Sequence, residues 1–208
     1  MDMRQPFLPI YMEKYYDLMK KPAGRNPVRD RSVGFEIIFD ELDKIRRDVI
    51  IIETGAARPD HGRLAFGDDG CSTFLFNAFV STHGGEFISV DINPSNVEYS
   101  KSIATYIGSE VWCMDSVKCL HGITSAVKFD LVYLDSYDLT VQQPELAQAH
   151  ALKELCAVLK NTQKGTLIVC DDHRVPEGFI GKGKFVQEFL DTIGAEKLYD
   201  GYQMIYKL

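Results

Sequence analysis

The sequence lacks the long apolar run that a membrane helix needs. No stretch of it approaches the roughly 20 consecutive apolar residues that span a bilayer. The first 21 residues also lack a basic region followed by a long apolar segment, the pattern that marks an exported protein. We therefore expect a cytoplasmic protein that has no membrane partner.

Cysteine is scarce, and no two cysteines have the C-x-x-C spacing of a redox or zinc motif. Five single cysteines in 208 residues also exclude the dense disulfide framework of small secreted domains. The expected state is a set of reduced thiols, which fits a cytoplasmic location. These cysteines are Cys71, Cys113, Cys119, Cys156 and Cys170.

An excess of positive charge is also missing, because 23 lysines and arginines face 30 aspartates and glutamates, a formal net charge of -7. Such a chain does not bind nucleic acid through its overall charge, so we expect no nucleic-acid partner and a small-molecule substrate instead. With 45% hydrophobic residues, 208 residues suffice for one large domain with a substantial core.

Five apolar runs of strand length follow one another from Val49 onward, separated by segments of helical periodicity. This alternation predicts βαβ units and a parallel sheet with both faces buried. The right-handed crossover rule places the carboxyl ends of the strands on one rim, where ligands bind. The runs are VIIIE, EFISVD, EVWCMD, FDLVYLD and GTLIVCDD.

Two helices, at 8–20 and 32–46, are predicted before the first strand, and the Asp200-Gly201 pair predicts a closing β-hairpin. The expected fold is α/β: a Rossmann-like, doubly wound sheet of seven mostly parallel strands, with a C-terminal antiparallel hairpin strand and N-terminal helices. Residues 1–48 form the helical extension of the domain at 49–208. Extensions of this kind can mediate homodimers.

Each of the five runs ends in a carboxylate, and solvation alone explains only one or two such ends. Together the acids predict an acidic crescent along one edge of the sheet, suited to ligand hydroxyl and amino groups or to a cation. The acids are Glu53, Asp91, Asp115, Asp135, Asp171 and Asp172.

The first strand leads through Gly55 and a long polar stretch into a helix near Ser72. Such an entry lets the backbone approach a ligand and offers the helix N-terminus to a negative group. Residues 57–69, which include Arg58, His61 and Arg63, are an insertion, and we predict a mobile lid that ligand binding orders. For each of these three side chains, a solvated surface charge is the alternative.

Residues 49–208 resemble the class I S-adenosylmethionine-dependent methyltransferases in the motifs IIETG, FISVDIN, CMDS and FDLVYLDSYD and in the final hairpin. The resemblance implies S-adenosylmethionine as cofactor. Asp91, at the end of the second strand, is placed to accept both ribose hydroxyls, unless it only caps the next helix. The implied cofactor-binding residues are Glu53, Gly55, Ala56, Ser72, Asp91, Ile92, Asp115 and Ser116.

Within that family, DSYD and CDDH look most like the metal-assisted small-molecule O-methyltransferases of the catechol and macrocin or cephamycin types. The resemblance implies Mg²⁺ or another divalent cation held by Asp135, Asp171 and Asp172. Neighbouring strand ends lie about 4.8 Å apart, so their carboxylates can converge on one ion. Alternatively, Asp171 and Asp172 cap a loop while Asp135 touches only the cofactor.

The general base stays open at this point, because Asp138 stands where the catechol-type enzymes have a lysine. Asp135 and His173 are the candidate catalytic residues. An NAD-dependent oxidoreductase is the runner-up, opposed by the missing G-x-G-x-x-G and by the short chain after the fifth strand. A third alternative is a binding protein that keeps the fold without turnover. Sugar, phenol and peptide acceptors all remain open.

Overall fold

A computed structural model describes residues 5–20, 29–59, 66 and 71–208, and every structural statement below concerns those residues. Three helices precede the sheet: α1 (Leu8–Lys14), α2 (Tyr16–Met19) and α3 (Ser32–Asp43). The strands are β1 (Val49–Thr54), β2 (Gly85–Asp91), β3 (Ser109–Cys113), β4 (Leu131–Leu134), β5 (Leu167–Cys170), β6 (Glu196–Asp200) and β7 (Met204–Lys207). The remaining helices are α4 (Ser72–His83), α5 (Pro94–Ile103), α6 (Ser116–Gly122), α7 (Pro144–Val158) with a 3-10 turn (Leu159–Asn161), and α8 (Lys184–Thr192).

The seven strands form one sheet in the order β3-β2-β1-β4-β5-β7-β6. The first five strands pair in parallel, and β7 runs antiparallel to both β5 and β6. The predicted fold class is therefore confirmed, and the reversed strand lies inside the sheet. The strands β4 and β5 are buried along their whole length, which is why they appear in the sequence as continuous apolar runs.

The N-terminal helices differ in length from their predictions. The segment 8–20 forms two helices that meet at Tyr15, and the segment 32–46 is helical only over Ser32–Asp43. Asp43, the last residue of α3, ties α1 to that helix, since its carboxylate accepts hydrogen bonds from the backbone N–H groups of Phe7 (2.9 Å) and Leu8 (2.7 Å). These helices therefore dock on the sheet as one unit, whereas the homodimer stays a prediction.

Each face of the sheet has its own apolar core. One core joins α1, α3 and α4 to the sheet through an aromatic cluster that contains Phe35, Phe39, Phe76 and Phe79. The other packs α6, α7 and α8 on the opposite face. The sheet is thus sandwiched between helices, which leaves its carboxyl edge as the place where side chains from several strands meet.

The structure also bears on membrane-spanning helices and on disulfides. Within the described ranges, no helix has the length and apolar character needed to cross a membrane. All five cysteines belong to those ranges, and none of them is in a disulfide.

Candidate active site

A cleft runs along the carboxyl edge of β1 and β2, and we call it the strand-end cleft. It consists of two adjoining pockets, of about 290 and 310 Å³. Both pockets are lined by Gly55, Asp91, Ile92 and Ser136. The first continues toward Ser72 at the start of α4, and the second continues toward Asp115 and Ser116 at the start of α6.

Asp91 lies at the centre of this cleft. One carboxylate oxygen accepts hydrogen bonds from the backbone N–H of Ala56 (3.0 Å) and the amide of Asn96 (3.1 Å), and the other accepts one from the N–H of Asn93 (2.7 Å). The N-cap of α5 is Asn93, whose side chain accepts from the N–H of Ser95, so Asp91 is not the helix cap. A carboxylate has about four acceptor positions, which leaves Asp91 able to receive a ligand hydroxyl.

Gly55 turns the chain at the cleft with a φ of +83°. Its N–H donates to the carbonyl of Val90 at 2.8 Å, and a Cβ at this position would collide with the backbone carbonyl of Asp135. Glycine is therefore required here by the neighbouring strand exit, in addition to any approach of a cofactor. Ala56, the next residue, lines the cleft and anchors the turn to Asp91.

Glu53 is fully buried under this turn and does not line the cleft, so the structure does not place it as a cofactor contact. Its carboxylate accepts hydrogen bonds from the hydroxyls of Thr73 and Ser89, both at 2.7 Å. The Thr73 hydroxyl in turn accepts from the N–H of Ala57 at 2.9 Å. Burial raises the pKa of Glu53 to about 7, and hydrogen bonds from Ser72, Ser89 and Thr73 oppose that rise.

Helix α4 begins at one end of the cleft. Its N-cap, Cys71, has a left-handed backbone with a φ of +43°, and both Cys71 and Ser72 line the cleft. The first N–H groups of a helix have no partner within the helix and carry partial positive charge. This end of the cleft therefore suits a carboxylate, as predicted for Ser72.

Asp115 and Ile92 lie toward the other end. Asp115 is the N-cap of α6, where its side chain accepts from the N–H of Lys118 at 2.9 Å. Ile92 is 71% exposed although it is apolar, and it lines both pockets of the cleft. An exposed aliphatic side chain next to polar groups offers a contact surface for a flat ligand ring.

A polar network that the sequence did not predict closes this end of the cleft. The hydroxyl of Ser116 lies 3.2 Å from His150 Nε2, and the Ser136 hydroxyl donates to Glu154 Oε1 at 2.6 Å. His150 Nε2 is 3.4 Å from the same Glu154 oxygen, and the ring of Tyr137 packs 5.2 Å from the His150 ring. His150 is one of the histidines that the sequence offers as a possible base, but no local spacing links it to Ser116, which lies 34 positions away.

The predicted lid falls largely outside the described residues, which include only 57–59 and Phe66 from the segment 57–69. His61 and Arg63 lie outside them, and the lid stays a prediction. Arg58 is described: its guanidinium donates to the carboxylate of Asp138 at 2.6 Å. Both residues line the strand-end cleft and also the pocket next to it.

That second pocket, the outer pocket, has a volume of about 230 Å³. Its lining contains charged side chains of both signs, a tyrosine and a few apolar groups. Asp135 belongs to its wall and to that of the strand-end cleft. The remaining lining residues are Arg29, Arg31, Arg58, Asp138, Leu139, Val141, Asp172, Val175, Glu177, Phe179 and Tyr202.

The structure brings Asp135, Asp171 and Asp172 together, with one carboxylate oxygen from each lying within 4.8 Å of the others. Asp135 and Asp172 line the outer pocket, whereas Asp171 is only 1% exposed and lines none of the three pockets described above. Burial raises the pKa of Asp135 well above its usual range, against the opposing charge of Lys182. Burial alone would also raise the pKa of Asp172, but Lys182 and Arg31 hold it below its usual range.

Two cations already hold these three acids, and the sequence pattern predicted neither of them. Arg31 donates from Nε to both oxygens of Asp171, at 3.0 and 2.9 Å, and from Nη2 at 2.7 Å. Lys182 Nζ contacts Asp135 Oδ1 directly and lies 3.0 Å from Asp172 Oδ2. The hydroxyl of Tyr202 donates to the other oxygen of Asp172.

The donor set is one that Mg²⁺ prefers, since it consists of carboxylate oxygens. The arrangement nevertheless does not fit an ion at the centre of the cluster. Both oxygens of Asp171 are engaged by Arg31, and the oxygens of Asp135 and Asp172 that face one another are bridged by Lys182. A cation at that point would lie beside a buried ammonium.

His173 is completely buried and lines none of the three pockets described above. Its ring packs against Gly183, and its Nε2 is 3.2 Å from Asp200 Oδ1. Burial lowers the pKa of His173 to about 4, opposed by Asp200. The structure therefore does not bring this candidate base to the cleft or to the outer pocket.

The architecture and the cleft define a class of fold, that of the class I S-adenosylmethionine-dependent methyltransferases. The chain is similar to the MycE methyltransferase from the mycinamycin biosynthetic pathway, solved with Mg and SAH: TM-score 0.63, 15% identity, 99% of this chain and 55% of that one. A MycE complex that also holds mycinamycin VI gives a TM-score of 0.62 at 16% identity, with the same coverage. NSun6 from Pyrococcus horikoshii, solved with SFG, gives a TM-score of 0.51 at 16% identity and covers 77% of this chain and 47% of that one.

The chain spans about half the length of these three structures. At such low identity the likeness shows the shared fold, which confirms the resemblance drawn from the strand-end motifs. No protein-family model matches the sequence, and no curated protein matches it.

Proposed function

We propose that this protein is an S-adenosylmethionine-dependent methyltransferase that methylates a hydroxyl group of a small molecule. The observation that carries the proposal is the position of Asp135, a residue that lines both the strand-end cleft and the outer pocket. A carboxylate at the junction of two pockets can act on a group that enters from one pocket and reacts with a ligand in the other.

The strand-end cleft has the groups needed for the cofactor. Asp91, with about one acceptor position left, would accept from a ribose hydroxyl, and the N-terminus of α4 with Ser72 would bind the amino-acid carboxylate. Asp115 and Ser116 would face the adenine, against the exposed side chain of Ile92. When bound, S-adenosylmethionine supplies an activated methyl group, whose bond to sulfur breaks as a bond to the acceptor oxygen forms.

The outer pocket would hold the acceptor, and its volume of about 230 Å³ suits a small molecule. Asp135 would take the proton of the reacting hydroxyl onto its carboxylate as the oxygen is methylated. Burial raises the pKa of Asp135, and the ammonium of Lys182 opposes that rise by favouring the ionised form, which is the form that accepts a proton. We assign the proton transfer to Asp135 and not to His173, which is buried and does not line the pocket.

The metal-assisted form of this reaction, which the resemblance implies, would place a divalent ion among Asp135, Asp171 and Asp172. The contacts of Arg31 and Lys182 with the same oxygens favour the reaction without that ion. The five unbridged cysteines support a reducing, cytoplasmic compartment as the place where the reaction occurs.

Isothermal titration tests the cofactor assignment. We expect S-adenosylmethionine and S-adenosylhomocysteine to bind and NAD not to bind. Asp91→Ala should weaken binding at least about tenfold, because a charge-assisted hydrogen bond is worth about 1.5 to 3 kcal/mol. The control is Glu98→Ala, an exposed acid on the neighbouring helix α5, which should bind like the wild type.

A flat titration with both adenosyl compounds would overturn the proposed function, and unchanged affinity in a folded Asp91→Ala variant would overturn the role of Asp91. The methyl transfer itself is tested with labelled S-adenosylmethionine and a panel of phenols and sugars. Asp135→Asn should still bind the cofactor but lose transfer to any acceptor that the wild type methylates.

A further inference from the structure

The acid cluster behind the outer pocket carries its own neutralising charges. Three carboxylates with oxygens within 4.8 Å of one another would repel strongly if nothing compensated them. Arg31 forms a forked pair with Asp171, and Lys182 bridges Asp135 and Asp172. Two cations against three acids leave one formal negative charge, so a divalent ion is not needed to balance the site.

The ammonium group of Lys182 is fully coordinated. Its three N–H bonds have three acceptors: Asp135 Oδ1, Asp172 Oδ2 at 3.0 Å and the backbone carbonyl of Asp135 at 3.4 Å. The side chain is only 3% exposed, and an ammonium in such a position is stable only when it is paired. Lys182 is thus built into the cluster as a cation, and it is not a surface lysine that happens to lie nearby.

Backbone hydrogen bonds fix the loop around Lys182 so that its side chain reaches the acid cluster. The N–H of Lys182 donates to the carbonyl of Asp172 at 3.0 Å, and the N–H of Gly181 donates to the carbonyl of His173 at 2.7 Å. A Cβ on Gly181 would collide with the carbonyl of Asp172, and one on Gly183 would collide with the His173 ring. Both glycines that flank the lysine are therefore required for this close approach.

A divalent ion at the centre of the cluster would have to compete for oxygens that already have partners, because Arg31, Lys182 and Tyr202 engage five of the six carboxylate oxygens. Mg²⁺ binds carboxylate oxygens at about 2.0 to 2.1 Å, which would put it inside the space that the ammonium occupies between Asp135 and Asp172. Two cations cannot share that space, because their repulsion in a buried site is large. Occupation by Lys182 and occupation by an ion are therefore mutually exclusive.

We propose that Lys182 takes the place of a divalent metal ion in the acceptor site, so that the site excludes such ions and holds Asp135 in position without one. The inference rests on the proposed function only for the role of the outer pocket. In that role Lys182 is a positioning residue: it fixes the carboxylate that faces the acceptor, and it keeps its own proton.

Mn²⁺ is the probe that tests this proposal, read by electron paramagnetic resonance of free and bound ion on the full chain at pH 8. We expect wild type to show no bound Mn²⁺ up to about 1 mM, and Lys182→Met to gain a site at least about tenfold tighter. The substitution removes the ammonium and keeps an unbranched side chain of similar length. The gained site should vanish in Lys182→Met combined with Asp172→Asn.

Lys184→Met is the matched control, since Lys184 lies two positions further along the chain, at the start of α8, with its ammonium over the Phe185 ring. It should exclude Mn²⁺ as the wild type does, and so should Lys182→Arg, which keeps the charge. Micromolar binding of Mn²⁺ to the wild type would overturn the proposal even if Lys182→Met does not fold. A folded Lys182→Met that binds no Mn²⁺ would overturn it too.

These outcomes do not depend on S-adenosylmethionine. If the cofactor titration fails, the proposed function is wrong, but the proposal about Lys182 is unaffected. If Mn²⁺ binds to the wild type, the proposal about Lys182 is wrong, but the proposed function is unaffected.

Discussion

Among single residues, Glu53 supports the turn after β1 by hydrogen bonds, and its own protonation changes with pH in the folded protein. Its carboxyl group is fully buried and accepts hydrogen bonds from the hydroxyls of Thr73 and Ser89. The Thr73 hydroxyl accepts one from the backbone N–H of Ala57, in the turn after β1. Its pKa of about 7 lies above its ordinary value of 4.5. The folded protein therefore keeps a proton on Glu53 in a pH range where the unfolded chain has released it.

The stability that this proton contributes is fully present below pH 4.5 and is lost as the pH rises to about 7. Between pH 5 and pH 8 we expect the wild type to lose roughly 2 to 3 kcal/mol of its free energy of unfolding from this group, as an upper value. Glu53→Gln, which cannot ionise, should lack that loss. Urea denaturation at both pH values measures it.

The control for Glu53 is Glu86→Gln, an exposed acid on β2, which should show the same pH dependence as the wild type. Equal losses in the wild type and in Glu53→Gln would contradict the assignment.

The sequence predicted the acids of the site but not the groups that hold them. Asp91, Asp115, Asp135 and the Asp171–Asp172 pair each end an apolar run, so their positions follow from local pattern. Arg31 meets Asp171 across 140 positions, and Lys182 meets Asp135 across 47. No local spacing relates such pairs, because the fold alone brings them together.

Among the elements, the exit of β1 is fixed by its neighbour β4. Gly55 has a φ of +83°, and a Cβ there would meet the backbone of Asp135; Gly178 has the same φ and open space around it. We expect Gly178→Ala to cost about 1 to 2 kcal/mol for the left-handed backbone alone. Gly55→Ala should cost about 3 kcal/mol or more and should weaken cofactor binding.

Thermal or chemical denaturation of the two alanine variants makes this comparison directly. Because the backbone angle is matched, the difference between them reports the clash with β4. Two equal losses of stability would mean that the β1 and β4 exits can separate without cost.

Helices and strands with a strong local sequence pattern could be predicted. Features that depend on hydrogen bonds between distant strands could not. The five parallel strands follow from apolar runs, and the hairpin follows from Asp200-Gly201. The division between α1 and α2 at Tyr15 was missed, since the apolar spacing continues across it. The insertion of β7 between β5 and β6 depends on non-local hydrogen bonds, which the sequence left open.

For the molecule as a whole, the N-terminal helices act as part of the core. Phe7 is 1% exposed, and its ring lies 4.8 Å from Phe39 and 5.6 Å from Phe79, on helices α3 and α4. Phe7→Ala should lower the free energy of unfolding by about 3 to 5 kcal/mol. Leu18→Ala, on α2 and 50% exposed, should change it by no more than about 0.5 kcal/mol.

Urea denaturation of both variants gives these values. A loss below about 1 kcal/mol in Phe7→Ala would mean that the helical extension is an appendage of the domain at 49–208.

The position of β7 in the sheet also determines the order in which the strands can pair during synthesis. On a ribosome, β5 emerges more than thirty residues before β7, which must then enter between β5 and β6. Until that happens β5 has a bare edge that can pair with another nascent chain. Tyr202, which holds Asp172, arrives just before β7. A truncated chain that ends before residue 202 would therefore leave the edge of β5 unpaired and lack part of the outer pocket, so we expect synthesis errors near that point to yield aggregates instead of a folded protein with an altered pocket.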